Sequence, residues 1–215
     1  MAKKLNTNSN SYIIIYSIVL VVIVAFCLAF VYSSLKEQQD KNVALDMKKQ
    51  VLAALDIREF ADDADAERQY KDIVIMTDTI DAETKSIIYT CKLDGEDKYV
   101  LYVKGMGLWG PVWGYIALNS DKQTVYGAYF NHEGETAGLG AEIKDSKKWQ
   151  DQFKGKKAIV DGEIKLGVKK ATDIKPDEKD FTVDGVTGAT LTCNGVDLMF
   201  KEGLKKYSDF LNLKN

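Results

Sequence analysis

Apolar and polar positions divide the chain into an uninterrupted greasy run, an amphipathic stretch and a long series of short alternating segments. Residues 12–32 contain no charge and are dominated by Ile, Val, Leu, Ala and Phe. About 20 such residues suffice to cross a bilayer, so this run predicts a transmembrane helix. Val43, Met47, Val51 and Leu55 then recur at every fourth position with polar residues between them, the mark of an amphipathic helix leaving the membrane. Runs rich in β-branched and aromatic residues follow at 73–76, 86–93, 99–103, 115–118 and 124–131. Gly, Asp and Asn punctuate them, which predicts an antiparallel sheet of hairpins. A helix is expected over 146–153, short strands over 163–168 and 181–183, and a last helix from Asn194 onward. In that last helix Val196, Met199, Phe200, Leu204, Tyr207 and Leu211 form one apolar face, and Asn194 with Asp197 resembles a capping box. The expected class is α+β: one N-terminal transmembrane helix, then an antiparallel sheet with helices packed on it. The expected boundaries are an N-terminal segment over 1–11, the span over 12–32, a connecting amphipathic helix over 33–60 and a folded body over 61–215.

Charge orients this picture. Lys3 and Lys4 give the first 35 residues +2, which leaves −5 on the rest of a chain whose net charge is −3. An acidic body has no attraction for nucleic acid or anionic lipid. Lysines before the span and mixed charges after it (Lys36, Glu37, Asp40, Lys41) place the N-terminus in the cytoplasm and the body on the far side. A cleaved signal peptide has a shorter apolar core, about 7–15 residues, and lipoprotein cleavage before Cys27 would need a small residue where Phe26 stands. The cysteines Cys27, Cys91 and Cys193 form no C-x-x-C pattern, which argues against a metal cluster built by this chain alone. Cys91 and Cys193 could pair outside the cytoplasm, and their spacing leaves that open. His132 is the sole histidine, which excludes histidine-pair catalysis and a three-histidine metal site.

Several motifs carry candidate chemistry. Asp63, Asp65 and Glu67 alternate as in a calcium loop, but Arg68 replaces the required glycine and Val74 the closing glutamate, so 62–67 reads as a solvated acidic loop. Gly105-Met106-Gly107-Leu108-Trp109-Gly110 matches G-x-G-x-x-G, yet Pro111 and a strand-like run follow instead of the helix a dinucleotide site needs. A glycine-rich hairpin, or a loop that brings Trp109 to a flat ligand, remains. In His132-Glu133-Gly134-Glu135-Thr136-Ala137-Gly138-Leu139-Gly140 the two glycines around Leu139 would let backbone approach a planar group, though an ordinary loop fits as well. Asp184-Gly185-Val186-Thr187-Gly188-Ala189-Thr190 sets a hydroxyl behind two very small residues. Spacing alone fits a strand-to-helix turn or a hydroxyl presented for covalent modification. A phosphate on Thr190 would sit near the positive end of the following helix, an interaction of about 1 kcal/mol.

Taken together these stretches resemble the FMN-binding domain family, in particular its branch of C subunits of sodium-translocating NADH:quinone oxidoreductases. The likeness runs from the apolar helix to the last helix. It rests on Gly107-Leu108-Trp109-Gly110, Gly134-Glu135-Thr136-Ala137-Gly138-Leu139-Gly140, Trp149-Gln150-Asp151-Gln152-Phe153 and the stretch 184–195. The resemblance implies FMN joined by a phosphoester to the last threonine of D-x-x-[ST]-G-A-T, here Thr190, with Asp184, Gly185, Thr187, Gly188 and Ala189 completing the motif. It also implies that Trp109, Glu135, Thr136, Gly138, Leu139, Leu191 and Thr192 contact the flavin, with Lys169 near a basic position of the family. Where the family usually has Ser in the attachment motif and Pro before Gly-Leu-Gly, Thr187 and Ala137 stand here.

The likeness further implies an electron-relay subunit of an inner-membrane complex that oxidises NADH, reduces quinone and exports sodium. Its implied partners are the A, B, D, E and F subunits, a flavin transferase that acts outside the cytoplasm, and the membrane. The span holds no acid or base, so sodium would pass through other subunits. Two alternatives stay open: the G subunit of the related complex that couples ferredoxin to NAD, and a tethered extracytoplasmic binding or regulatory module that holds flavin non-covalently or not at all.

Overall fold

The computed structural model describes residues 9–81 and 86–214, so Lys3 and Lys4, on which the orientation argument rests, lie outside the described residues. The chain divides into a unit through Asp46 and a second from Met47 onward. α1 (Asn10–Ala54) is a single helix. With neither Gly nor Pro between its ends, nothing breaks it, and the connecting helix expected over 33–60 is its continuation, stopping at Ala54. In the first unit its apolar side chains are exposed all round, and the helix is long and apolar enough to cross a membrane. Val43 is exposed too, so the amphipathic pattern becomes a buried face only from Met47, with Val51, Leu52, Ala54 and Leu55 buried.

In the second unit α1 ends where Ile57 N–H bonds back to the Leu52 carbonyl at 3.0 Å and Asp56 takes a positive φ of 65°. The stretch 62–67, expected as loop, instead starts α2 (Asp63–Ile73). Asp62 caps it by accepting from Asp65 N–H at 2.7 Å, and the acids sit in the first turn, where the helix dipole favours them. Five strands form a meander in chain order: β1 (Val74–Asp81), β2 (Ser86–Leu93), β3 (Glu96–Met106), β4 (Pro111–Leu118) and β5 (Val125–His132), all antiparallel. Asp94-Gly95 turns β2 into β3 with both φ values positive, 52° and 83°, as a two-residue hairpin requires.

Period-two alternation gives this sheet two buried faces. Tyr89, Cys91, Val100, Tyr115 and Ala117 meet Val51, Ala54 and Leu55 of α1, with Tyr70 and Ile73 of α2 at the edge. Ile88, Leu101, Val103, Val112 and Ile116 point the other way, into the larger core under the C-terminal half. Cys91 and Cys193 are both free and fall in different faces' cores, so the disulfide left open by their spacing is absent.

The C-terminal half supplies α3 (Glu142–Asp145), α4 (Lys147–Asp151), the small hairpin β6 (Ile159–Val160) and β7 (Glu163–Ile164), and then β8 (Gly167–Lys169) and β9 (Thr182–Asp184). β8 and β9 pair in parallel, an exception to the antiparallel expectation. The segment between them, with 3₁₀ turns at Ala171–Asp173 and Pro176–Glu178, is the crossover that a parallel pair needs. α5 (Thr190–Lys205) crosses β3, and α6 (Ser208–Leu211) closes the chain. The predicted apolar face of the last helix is buried throughout, although the helix breaks before Tyr207. Tyr207 anchors that break, since its hydroxyl accepts from Ile87 N–H at 3.0 Å and donates to the Tyr102 carbonyl at 2.6 Å.

Candidate functional site

Three loops far apart in sequence meet at the start of α5. The first is the β3–β4 hairpin, closed by Gly107 N–H to the Gly110 carbonyl at 2.8 Å; the glycine run is a hairpin, and Trp109 stands at its tip, 68% exposed. The second is the 134–140 loop after β5. The third is the turn after β9.

Glu135 joins them. It is only 7% exposed, and its two carboxylate oxygens accept from Trp109 N–H at 2.9 Å and from the Thr192 hydroxyl at 2.5 Å. Thr192 is 1% exposed. A Cβ on Gly107 would overlap the Glu135 carboxylate, and one on Gly140 would come within 2.5 Å of it and 2.6 Å of the Thr192 hydroxyl. These two glycines thus make room for a buried acid. His132, at the end of β5, accepts the Glu135 N–H on Nδ1 at 3.1 Å and so sets the loop's departure. Glu135 and Thr192 were expected to contact flavin; the structure turns both side chains inward, onto each other, because a buried carboxylate needs donors.

The turn after β9 is built from its own backbone. Gly185 N–H continues the β8–β9 pairing to the Lys169 carbonyl at 2.8 Å, and Val186 N–H points at the Cys193 sulfur at 3.2 Å. Ala189 N–H then bonds to the Val186 carbonyl at 3.1 Å with Gly188 at φ 80°, the third position of a type II turn, where glycine is favoured. Leu139 packs against this turn: a Cβ on Gly188 would sit 2.9 Å from its Cδ2.

Thr190 is not a residue ahead of the helix. It is the first residue of α5, four positions earlier than the sequence pattern predicted. Asn194 lies inside the helix and caps nothing, and Asp197 instead accepts Val168 N–H at 3.0 Å. Ala189 occupies the N-cap position with no side chain to cap with, so no side-chain cap claims the first-turn N–H groups. Beside Thr190 lies a cleft of about 190 Å³, bounded by β8, the 3₁₀ crossover and the turn after β9.

Expected contacts divide accordingly. Thr190, Asp184, Gly185, Thr187 and Gly188 line the cleft, together with Lys169; Ala189 is buried beneath it. Trp109 on the hairpin, Leu139 on the 134–140 loop and Leu191 in the first turn of α5 are exposed apolar side chains. Thr136 and Gly138 are exposed on the same loop as Leu139, and the Thr136 carbonyl accepts Leu139 N–H at 3.1 Å. Lys169 is engaged with Glu178 at 2.7 Å. Lys170, Thr172 and Asn194 also stand in the cleft wall, unforeseen from the sequence; the pairing of β8 with β9, which places the first two there, left no local signal. Burial pushes the Cys193 thiol above its ordinary value despite the Val186 N–H aimed at it, so the sulfur beneath the turn is a packing group. The residues present fit a flavin mononucleotide: an exposed hydroxyl at a helix start without a side-chain cap for a phosphate ester, a cleft lined by Lys170, Thr172 and Asn194 among apolar surface for a ribityl chain, and exposed apolar side chains on the adjoining loops for a flat ring.

Comparison with known proteins agrees with this geometry. Residues 107–205 match the FMN-binding domain family, a stretch that contains all three loops. The C subunit of the Na(+)-translocating NADH-quinone reductase of Chlamydia muridarum is 39% identical over 130 residues, covering 54% of this chain and 40% of that protein. The protein of the same name from Pseudomonas aeruginosa is 38% identical over 135 residues, covering 60% of this chain and 51% of its own length. The matched stretch therefore spans about half or less of these curated relatives. A crystal structure of the C subunit of that reductase from Parabacteroides distasonis superposes with a TM-score of 0.75 at 34% identity, covering 84% of this chain and 98% of that one. A second, from Shewanella oneidensis, shares the fold with a TM-score of 0.62 at 23% identity. Fold and site together define an FMN-binding domain. Within that class, the chain belongs to the family of C subunits of Na(+)-translocating NADH-quinone reductases.

Proposed function

We infer that this chain is a covalent-flavin electron-transfer subunit, with FMN esterified through its phosphate to the Thr190 hydroxyl. One observation carries the reading. Thr190 is exposed at the first turn of α5, which no side chain caps, and it lines a cleft, while Leu191 beside it and Leu139 and Trp109 on the two loops joined to that end of α5 are exposed. The first-turn N–H groups and the helix dipole would hold the phosphate, an orienting effect of about 1 kcal/mol. The bound flavin would supply reversible one- and two-electron chemistry, while the chain sets its place and its exposure. Glu135 serves as the internal brace that keeps the Trp109 hairpin against α5.

By family, the assembly would oxidise NADH on another subunit, reduce quinone and export sodium, with the flavin here as one relay. α1 would anchor the chain as a single span with its N-terminus in the cytoplasm and the FMN-binding domain outside, where a flavin transferase would act. The remaining subunits of the reductase are the proposed partners.

Expression with and without the transferase, followed by a denaturing gel, tests the attachment. A fluorescent band that disappears in Thr190→Ala is the expected result; a dark wild-type band beside an active transferase would refute it. Purification of the native complex tests the assembly. Sodium-stimulated NADH:quinone activity is expected, and a requirement for ferredoxin would move the chain to the other complex.

A further inference from the structure

The stretch Trp149-Gln150-Asp151-Gln152-Phe153 has no role in the site described so far, yet it grips the attachment turn from behind. Its backbone is fixed by packing: the Trp149 and Phe153 rings lie 5.3 and 5.0 Å from the Phe130 ring in the main core. From this base two side chains reach the backbone of one residue. Trp149 Nε1–H donates to the Asp184 carbonyl at 2.8 Å. The Gln152 carboxamide accepts Asp184 N–H at 3.2 Å and donates to its carbonyl at 3.4 Å.

Asp184 ends β9, and the other edge of that strand is paired with Lys169 of β8. A carboxamide carries the same donor and acceptor as a peptide, so Gln152 stands where a third strand would pair. The end of a three-residue strand would otherwise fray at its open edge. Instead it is held from both sides at the residue where the chain departs toward Thr190. Gln150 extends the hold. Buried in the core, it donates to the Ile143 and Lys144 carbonyls at 2.9 Å each and accepts from Arg58 at 2.7 Å. α3, which carries those two carbonyls, directly follows the 134–140 loop that packs on the turn.

We propose that Trp149 and Gln152 are positioning residues for the flavin site. By holding the Asp184 backbone they fix the point from which the turn presents Thr190, in register with the loop that carries Leu139. Their purpose rests on the flavin reading above; the hold itself rests on the hydrogen bonds alone.

Hydrogen exchange, read by mass spectrometry on the flavin-free full chain, tests the hold. Gln152→Leu keeps the bulk of a half-exposed side chain and loses the amide; Trp149→Phe keeps a ring in the Phe130 cluster and loses the donor. Each should speed exchange across residues 184–190 about fivefold, the effect of one lost hydrogen bond. Phe153→Leu, which loosens the same core without touching Asp184, should lower the melting temperature and leave that segment's relative protection unchanged. In chain loaded by the transferase, the first two variants should alter the visible circular dichroism of the attached flavin and Phe153→Leu should not. Unchanged exchange over 184–190 in Gln152→Leu overturns the hold, and an unchanged flavin spectrum overturns the positioning role. If Trp149→Phe does not fold, Gln152→Leu decides both points. A wild-type chain that takes up no flavin refutes the functional reading, while exchange still decides the hold.

Discussion

Glu135 concentrates the site's energetics in one side chain. Hydrogen bonds to a charged group are worth about 1.5–3 kcal/mol each, and stranding a buried partner costs comparably. Glu135→Ala should therefore lower the stability of the flavin-free domain by about 3 kcal/mol in urea titration, through the loss of bonds to Trp109 N–H and Thr192. Thr192→Val removes one of the two and should cost about half as much. The cysteines give a second check at this scale. Burial pushes the Cys91 thiol up to about 12, and Cys193 is also raised, so neither is a thiolate near neutrality. Both should resist iodoacetamide at pH 8 in the native chain and react once urea is added. Rapid labelling of native Cys91 would contradict its place between the sheet and α1. The glycine-rich surroundings of Glu135 fitted an ordinary loop as well, and only the family resemblance singled this residue out. Its inward direction was legible in neither, since that depends on a hairpin and a helix distant in sequence.

At the scale of elements, α5 shows most clearly how tertiary contact overrides local pattern. Residues 190–193 read Thr-Leu-Thr-Cys behind an Ala, with no capping side chain, and Gly195 comes soon after, a poor sequence for starting a helix. The helix nevertheless begins at Thr190, because Gly195 lets it lie directly on the β3 backbone: a Cβ there would overlap the Met106 carbonyl. Gly195→Ala should then destabilise the domain by about 2 kcal/mol, measured by thermal unfolding, although alanine is the better helix former. A stabilised Gly195→Ala variant would show that α5 and β3 are not in this contact. Local pattern misleads at 62–67 as well. Its acids look like solvated loop residues, but Asp62 is a cap, Asp63 and Asp65 complement a helix N-terminus, and Glu67 pairs with Lys48.

Across the whole domain, the exit of α1 is tied to α4 by charge. Asp56 meets Lys154 at 2.8 Å and Lys147 at 3.1 Å, and Asp151 bridges the same two lysines at 2.9 Å each. Burial works to raise both carboxyls, but the hydrogen bonds from Lys154 and Lys147 outweigh it and hold both below the ordinary 3.8. A depressed folded pKa means stabilisation that is fully present above the unfolded value and lost as pH falls through the folded one. These groups face solvent, so the contribution of each pair is under about 1 kcal/mol. Asp56→Asn should melt slightly below the wild type at pH 7, and the two melting curves should converge below about pH 4. A gap that persists in acid would assign the loss to the backbone at Asp56, whose φ is positive, and not to charge.

The amino-acid order alone determined the apolar helix, the hairpin sheet and the buried face of the last helix. Each of these is written in local periodicity or in a contiguous run of residues, so neighbours in sequence suffice to specify it. Only the tertiary structure decided that β8 and β9 run parallel, that α5 starts at Thr190, that Glu135 and Thr192 face each other, and that Trp149 and Gln152 hold Asp184. Each of those joins residues distant along the chain, and the choice is made by packing and by the need to satisfy buried polar groups, which no short window of sequence contains.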